Sequence, residues 1–200
     1  MTLNADLRPA HLILVRHGES EGNRDRTFTQ SSEVPLTALG RQQAVAAAEC
    51  IQERYRPVRV VASPFARAQQ TATVIADTLG LPLELEAGLR EQSFGIFAGQ
   101  PYDALLNDAA YHEGPRWNWR PPEGESLIDV YERVVPAFDR IASSAAGQDI
   151  VIVSHGGVML ALCAYIMGSW DRATLAPNAG IVVVEHAQGR YGPPLMIADP

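Results

Sequence analysis

Two short apolar runs in this chain end in the same pair of residues, a histidine followed by a glycine. Residues 12–15 lead into His17, and residues 150–153 lead into His155. Apolar runs of this length are typical of buried strands, and a glycine lets the backbone turn sharply where a strand ends. If the two strands are parallel in one sheet, both histidines leave it at the carboxyl edge, where open α/β sheets place their ligand sites.

Strand and helix signals alternate along the whole chain, which is the pattern of an α/β sheet with helices on its faces. Two hundred residues with 46% hydrophobic content are enough for one domain with a full core. We therefore expect a single α/β domain over residues 1–200, with three α/β/α layers around a mostly parallel central sheet. The predicted strands cover residues 11–16, 58–62, 83–85, 150–154 and 181–185, with a short edge strand near the C-terminus, and the predicted helices cover residues 37–55, 63–80, 126–144 and 157–167.

Three of the predicted helices carry recognisable end signals. Thr37 and Ser126 are suitable N-caps. Ser63 with Pro64 predicts a cap followed by proline at the first helical position, and Gly80 predicts the end of that helix. The helix after Thr37 is expected to bury one apolar face that includes Val45, Ala48 and Ile51.

Residues 88–125 interrupt the alternation with an irregular stretch rich in glycine and proline. Such a stretch inside a compact domain is either disordered or a functional lid, and its aromatic residues favour a lid. We expect a lid over about residues 93–125, above the carboxyl edge of the sheet. The candidates for lining the mouth of a pocket there are Tyr102, Trp117, Trp119 and Arg120.

Composition excludes several classes of function. A formal net charge of −7 argues against a general nucleic-acid or anionic-membrane binder. All 16 basic residues are arginine, so Schiff-base chemistry on lysine and a P-loop lysine are excluded. Cys50 and Cys163 lie in apolar, helix-like segments and are expected to be buried free thiols. Neither a signal segment nor an apolar run of about 18 residues is evident, so we expect a soluble cytoplasmic protein.

The side chains around the two His-Gly pairs suit chemistry on a phosphate. The imidazole of His17 is a nucleophile near neutral pH, and the guanidinium of Arg16 matches a phosphate in a bidentate fork. Gly156 and Gly157 open a helix whose free N–H groups face an anion. Arg67, in the first turn of a predicted helix, opposes the helix dipole; a bound anion or a surface ion pair would explain it. Taken alone, His155 would more often be a helix cap or a core residue, but its occurrence with the first His-Gly pair favours a place in the site.

Four segments, taken in chain order, resemble the motifs of the histidine phosphatase superfamily, the phosphoglycerate mutase-like proteins. The set spans residues 16 to 156 and therefore covers nearly the whole chain. Arg-His-Gly alone is only moderately specific, whereas all four segments in order are highly specific. The segments are Arg16-His17-Gly18-Glu19-Ser20 with Asn23, Ser63-Pro64 through Arg67 to Thr71, Glu91, and Ser154-His155-Gly156.

The resemblance implies a role for each matching residue. His17 would be the nucleophile that becomes phosphohistidine, and Glu91 would donate a proton to the leaving oxygen. A backbone carbonyl at the turn, for instance that of Gly18, can fix the tautomer of His17, and nearby arginines disfavour its protonation. No cofactor or metal is required. The phosphoryl oxygens would be held by Arg16, Arg67, His155 and Asn23, and further candidates for substrate binding are Ser20, Gly156 and Gln30.

Three functions remain open on the sequence. The first is a phosphoric monoester hydrolase of the histidine acid phosphatase type, acting on a small phosphorylated metabolite. The second is a cofactor-dependent phosphoglycerate mutase, which usually has an insertion with paired arginines after the acid; here Glu91 and Ser126 are 35 positions apart with no Arg-Arg pair between them. The third is a non-catalytic phosphate-binding relative. The few charges and several aromatics of residues 93–122 predict a partly apolar or sugar-like leaving group, although Arg116 and Arg120 leave an acidic one open. A homodimer is the default expectation for the assembly.

Overall fold

A seven-stranded sheet lies between two layers of helices in the computed structural model, which describes residues 8–29 and 31–198. The strands are β1 (Ala10–Arg16), β2 (Pro57–Ala62), β3 (Leu83–Leu85), β4 (Asp149–Ser154), β5 (Ile181–Ala187), β6 (Arg190–Tyr191) and β7 (Leu195–Ala198). The helices are α1 (Glu21–Arg24), α2 (Ala38–Arg54), α3 (Ala66–Leu79), α4 (Leu127–Ser143) and α5 (Gly156–Met167). None of the helices in these two described ranges is both long and apolar enough to cross a membrane.

The strand order is β3-β2-β4-β1-β5-β6, and β7 also pairs with β5. Strands β3, β2, β4 and β1 are mutually parallel, whereas β5 is antiparallel to β1. In the pairing of β1 with β4, Arg16 lies opposite Ser154. His17 and His155 therefore leave neighbouring parallel strands at the same edge, as the sequence predicts.

The two helical layers cover opposite faces of the sheet because side chains alternate along each strand. Leu12 and Leu14 of β1 pack with buried residues of α4 and α5. Ile13 and Val15 of the same strand pack with buried residues of α2 and α3. The predicted three-layer α/β/α fold is confirmed.

Most of the predicted helix ends are confirmed. Thr37 caps α2 through a bond from the N–H of Gly40, and Ser126 forms a capping box with Asp129 at the start of α4. Gly80 ends α3 in the left-handed conformation, with φ of 66°. These ends fix where each helix meets the sheet.

The predicted start of α3 is wrong, because this helix begins at Ala66 without a side-chain cap. The Oγ of Ser63 accepts from the N–H of Phe65, which precedes the first residue of the helix, and lies 2.7 Å from Nε2 of His155. Two other expectations are also corrected. Val45 is 43% exposed, since the small buried face of α2 is filled by alanines and Ile51, and Cys50 is half-buried, unlike the buried Cys163.

Residues 93–125 form short 3₁₀ turns that pack on the loop after β1. Phe28 from that loop shares a small apolar cluster with Phe97, Leu105 and Trp119. Backbone bonds join the two segments, including one from the N–H of Tyr102 to the carbonyl of Arg26 at 2.9 Å. This packing places the irregular segment beside the carboxyl edge of the parallel strands.

Candidate active site

A pocket of about 390 Å³ opens at the carboxyl ends of β1 and β4. His155 is not among its lining residues; its fully buried ring lies behind His17, with 5.1 Å between the ring centroids. Gln30 lies outside the described residues. The other site residues predicted from the sequence line the pocket together: Arg16, His17, Ser20, Asn23, Arg67, Glu91 and Gly156.

The imidazole of His17 is held in one orientation and one tautomer. Its Nδ1 lies 2.7 Å from the carbonyl oxygen of Gly18, so Nδ1 carries the proton and donates it there. Its Nε2 therefore has a lone pair, which accepts a hydrogen bond from Nε of Arg67 at 3.3 Å. Burial lowers the pKa of His17 well below its usual value, and the charges of Arg67 and Arg16 lower it further. The side chain is thus a neutral imidazole whose unprotonated Nε2 is the nucleophilic atom and is oriented by Arg67.

Arg16 and Arg67 place two positive charges beside this imidazole. Nη1 of Arg16 donates to the carbonyl of Ala176 at 2.8 Å, while Arg67 is 3% exposed and lies over the ring of Phe65 at 5.3 Å. The alternative reading of Arg67 as a surface ion pair is wrong, because the side chain is buried. Burial lowers the pKa of both guanidinium groups and the carboxylate of Glu91 opposes that shift, so all three groups share one electrostatic site.

Three buried side-chain nitrogens at this site have no hydrogen-bond partner among the residues that the structure describes. They are Nε of Arg16, Nη1 of Arg67 and Nδ1 of His155. A buried polar group without a partner costs about 1–3 kcal/mol, so three in one place require an explanation. An anion with several acceptor oxygens would satisfy all of them, and a phosphoryl group is such an anion.

Ser63 orients the second histidine. Its Oγ accepts from the N–H of Phe65 at 3.3 Å and lies 2.7 Å from Nε2 of His155. The hydroxyl hydrogen can then go to Nε2, which leaves Nδ1 of His155 as an N–H donor. Burial lowers the pKa of His155 well below its usual value, and the charge of Arg67 adds to this. The sequence reading assigned Ser63 to a helix cap and missed this contact.

The carboxylate of Glu91 lies at the N-terminus of α5. Its Oε1 accepts from the backbone N–H groups of Gln92 at 2.9 Å and of Gly157 at 3.2 Å. The loop that carries Glu91 is held by Arg133 of α4, which donates to the carbonyls of Gly88 at 2.9 Å and of Glu91 at 3.0 Å. Two further bonds, each of 2.9 Å, join Arg133 to Glu125. Arg133 is therefore the positioning residue for Glu91, and the sequence reading missed it.

Removing the Arg133 guanidinium is expected to slow catalysis without disturbing phosphate binding. We expect Arg133→Gln to lower kcat by about 10²-fold, since a small displacement of a catalytic group has that effect, while KM for a phosphate ester changes little. Arg140→Gln is the matched control, because Arg140 lies on the same helix and pairs with Glu86 at the surface. Equal kcat in the two folded variants would contradict the positioning role.

The two buried imidazoles also predict how stability depends on pH. Both have a pKa well below the usual 6.5 in the folded protein, so the unfolded chain alone takes up their protons as the pH falls below about 6.5. The free energy of unfolding should then decrease by up to about 1.4 kcal/mol per pH unit for each histidine. Denaturant unfolding between pH 7.5 and 5.0, in a buffer without phosphate, measures this slope. A slope that is the same in His155→Asn as in the original chain would contradict the prediction.

Among the four candidates for the pocket mouth, only Tyr102 lines the pocket, where its hydroxyl accepts from Nδ2 of Asn23 at 3.2 Å. Trp117 instead stacks on Trp170 at 5.9 Å, and Trp119 is buried in the small cluster of the irregular segment. Arg120 pairs with Asp129. The stacking on Trp170, the burial of Trp119 and the ion pair with Asp129 hold these three side chains away from the pocket.

Asn178, in the loop between α5 and β5, is a lining residue that the sequence reading missed. Its Nδ2 lies 3.1 Å from the carbonyl oxygen of His17 and 3.1 Å from Oδ1 of Asn23. It thereby ties the catalytic turn to α1. Within the described parts of the chain, no three His, Cys, Asp or Glu side chains are grouped so that they could hold a metal ion.

Comparison with known proteins places this geometry in a family. Residues 12–195 match the histidine phosphatase superfamily, branch 1. A glucosyl-3-phosphoglycerate phosphatase from Mycolicibacterium vanbaalenii is 35% identical over 174 residues, which cover 81% of this chain and 76% of that protein. A protein from Yersinia enterocolitica named "Probable phosphoglycerate mutase GpmB" is 32% identical over 161 residues, which cover 78% of this chain and 74% of that protein.

Solved structures show the same similarity over nearly the whole chain. A mycobacterial glucosyl-3-phosphoglycerate phosphatase in complex with VO3 has a TM-score of 0.82 and 28% identity, covering 92% of this chain and 96% of that one. A structure named mycobacterial hydrolase 1 has a TM-score of 0.86, also at 28% identity, covering 96% and 100%. The resemblance predicted from the four motifs is thereby confirmed, and the chain belongs to the histidine phosphatase superfamily, branch 1.

Proposed function

We propose that this chain is a metal-independent phosphomonoesterase that hydrolyses small phosphorylated metabolites through a phosphohistidine intermediate. The observation that carries the proposal is an unprotonated Nε2 on His17 in a pocket that is also lined by Arg16 and Arg67, each with an unpartnered buried nitrogen. A third such nitrogen, Nδ1 of His155, belongs to the ring next to that of His17. A nucleophile and an anion cradle in one pocket are what phosphoryl transfer to a histidine requires.

In the first step, Nε2 of His17 attacks the phosphorus and the bond from phosphorus to the ester oxygen breaks. The proton stays on Nδ1, and its hydrogen bond to the carbonyl oxygen of Gly18 keeps the ring in the same orientation in the phosphohistidine. Arg16 and Arg67 neutralise charge on the transferring oxygens, with His155, Asn23, Ser20 and Gly156 as further contacts. Glu91 is the acid of this step and transfers a proton to the leaving oxygen.

In the second step, a water attacks the phosphorus of the phosphohistidine. Glu91 is now a carboxylate and takes the proton from that water, so it returns to its starting state. The bond from phosphorus to Nε2 breaks and inorganic phosphate leaves. One ester and one water thus give one alcohol and one phosphate, with the enzyme unchanged.

Mutase activity is the second candidate, because several relatives, including the one from Yersinia enterocolitica, carry that name. A mutase must hold a second phosphate on the substrate, which calls for a second group of cations. In the described residues, the only arginines that line the pocket are Arg16 and Arg67, at the nucleophile. This favours hydrolysis. A non-catalytic role is disfavoured because one pocket is lined by the nucleophile His17, by Arg16 and Arg67, and by the acid Glu91.

The remaining expectations from the sequence stay proposals. We infer one catalytic domain over residues 1–200, in which the irregular segment of residues 93–125 forms part of the pocket wall through Phe94 and Tyr102. We also propose a cytoplasmic location, a homodimeric assembly and no binding to nucleic acid. Gln30 also remains a candidate contact to substrate from the loop after β1.

The decisive experiment is a phosphatase assay in EDTA with 4-nitrophenyl phosphate and a panel of phosphorylated metabolites that includes glucosyl-3-phosphoglycerate. Turnover in EDTA, with acid-labile phosphate trapped on the enzyme after rapid quenching, is the expected result. Isomerisation of 3-phosphoglycerate that depends on a bisphosphoglycerate would identify a mutase. Neither turnover nor labelling on any ester would support the non-catalytic alternative.

A further inference from the structure

The part of the pocket beyond the phosphate cradle is made of aromatic and aliphatic side chains. Phe28 contacts Phe94 and Tyr102, with centroid distances of 4.4 and 4.8 Å. Three leucines from separate segments complete this part of the lining: Leu127, Leu160 and Leu175. The neutral polar side chains that accompany them include Thr27, Gln92 and Asn178. A leaving group would therefore meet ring faces, methyl groups and a few hydrogen-bonding groups.

Charge is confined to the phosphate end of the same pocket. Its charged lining residues are Arg16, Arg67 and Glu91. The chain has no lysine, and all 16 of its arginines lie within the described residues. Arg26 is exposed and does not line the pocket. Its guanidinium lies 6.0 Å from the ring centroid of Tyr102, which does line the pocket. Among the described residues, no cation other than Arg16 and Arg67 lines the pocket to meet a second anion on the substrate.

We infer that the physiological substrate is the monophosphate ester of an uncharged alcohol with a ring or apolar face, and that a carboxylate or second phosphate on the leaving group is selected against. The inference rests on the proposed phosphatase function. It follows because an anion that loses water against ring and methyl surface without gaining a partner is unfavourable, whereas ring and methyl groups of a substrate gain from the same contact. A pocket that offers no opposite charge rejects a competing ligand that carries one.

The inference predicts that this chain prefers a different substrate from glucosyl-3-phosphoglycerate, after which two of the proteins similar to it are named. 3-Phosphoglycerate carries a carboxylate at one end of its three-carbon chain and the phosphate ester at the other. A glucosyl group on its remaining hydroxyl oxygen leaves that carboxylate in place. The pocket lining that is left for that group, apart from the charged residues, includes Phe94, Leu127 and Leu175 with neutral polar side chains. We therefore expect this chain to prefer neutral sugar or aryl phosphates over phosphoglycerate derivatives.

Two matched pairs of esters test the inference. In the first, 4-methylphenyl phosphate is compared with 4-carboxyphenyl phosphate, whose phenol is the better leaving group, so intrinsic reactivity favours the acid. In the second, glycerol 3-phosphate is compared with 3-phosphoglycerate, which differs by a carboxylate in place of a hydroxymethyl group. We expect kcat/KM to favour the neutral member of each pair by roughly 100-fold.

A designed variant tests whether adding a cation to the pocket lets it accept a carboxylate. Leu175→Arg adds a cation at a half-exposed lining position and should reduce the discrimination against the carboxylate by at least about 10-fold. Leu106→Arg is the matched control, because Leu106 is a similarly exposed leucine that does not line the pocket. The control should keep the ratio of the original chain.

The results separate failure of this inference from failure of the proposed function. Hydrolysis of both members of each pair with equal kcat/KM, or faster hydrolysis of the carboxylates, would overturn the inference and leave the phosphatase in place. A carboxylate preference that Arg26→Gln removes would overturn it and assign recognition of a second anion to Arg26. No turnover of any ester, with no phosphate on His17, would overturn both.

Discussion

Replacing His17 with alanine is expected to abolish turnover, with a loss in kcat on the order of 10⁴-fold or more, and to abolish the phosphoenzyme. Of the lining residues that the structure describes, His17 alone has a ring nitrogen that accepts from a guanidinium, that of Arg67 at 3.3 Å. Steady-state rates and the phosphate retained after acid or base quenching measure the two effects. The label should be stable in base and labile in acid, as expected of a phosphorus–nitrogen bond.

His17→Asn keeps a side-chain N–H for the carbonyl of Gly18 and so separates chemistry from the shape of the turn. It should be as inactive as His17→Ala but closer to the original chain in its free energy of unfolding. His155→Ala is the complementary variant. It retains the nucleophile and should still label, at a lower rate, because one donor to the phosphoryl group is lost. Turnover at the original rate in either His17 variant would contradict a phosphohistidine mechanism.

The histidine pair shows why most of the fold was predictable from sequence. Apolar runs identify buried strands because a central parallel strand is covered on both faces, and Leu12 to Val15 are at most 2% exposed. Parallel pairing of β1 with β4 then follows from alternation with helices. The exposed Val45 shows where the same reasoning fails. A helix rich in alanine has several faces of similar hydrophobicity, and tertiary packing selects among them.

The parts of the site that sequence did not predict depend on contacts between distant residues. Ser63 and His155 are 92 positions apart, and the 2.7 Å contact between them exists because β2 and β4 are neighbours in the sheet. Local sequence predicts only the helix cap for the same serine. Arg133 reads as an ordinary surface residue of an amphipathic helix. Its bonds to the loop of Glu91 become visible only when α4 is placed beside that loop.

The other large expected effect concerns Glu91 and depends on the leaving group. Glu91→Gln removes the proton donor, so hydrolysis of an alkyl phosphate, whose alkoxide is a poor leaving group, should slow by about 10²–10⁴-fold. With 4-nitrophenyl phosphate the first step needs little protonation, and phosphohistidine should form at nearly the original rate. The second step still lacks its base. The variant should therefore show a burst of nitrophenol equal to the enzyme concentration, followed by slow turnover with the phosphoenzyme accumulated.

Stopped-flow absorbance and quenched labelling in the same Glu91→Gln samples measure the burst and the trapped intermediate. Glu113→Gln is the matched control, because Glu113 is an exposed carboxylate of the irregular segment and does not line the pocket. It should show neither a burst nor a change in leaving-group dependence. A uniform loss of rate across alkyl and aryl esters in Glu91→Gln, without accumulation of phosphoenzyme, would assign Glu91 to binding. The donor would then have to be sought elsewhere, because a group that protonates the leaving oxygen must make the rate depend on that oxygen's basicity.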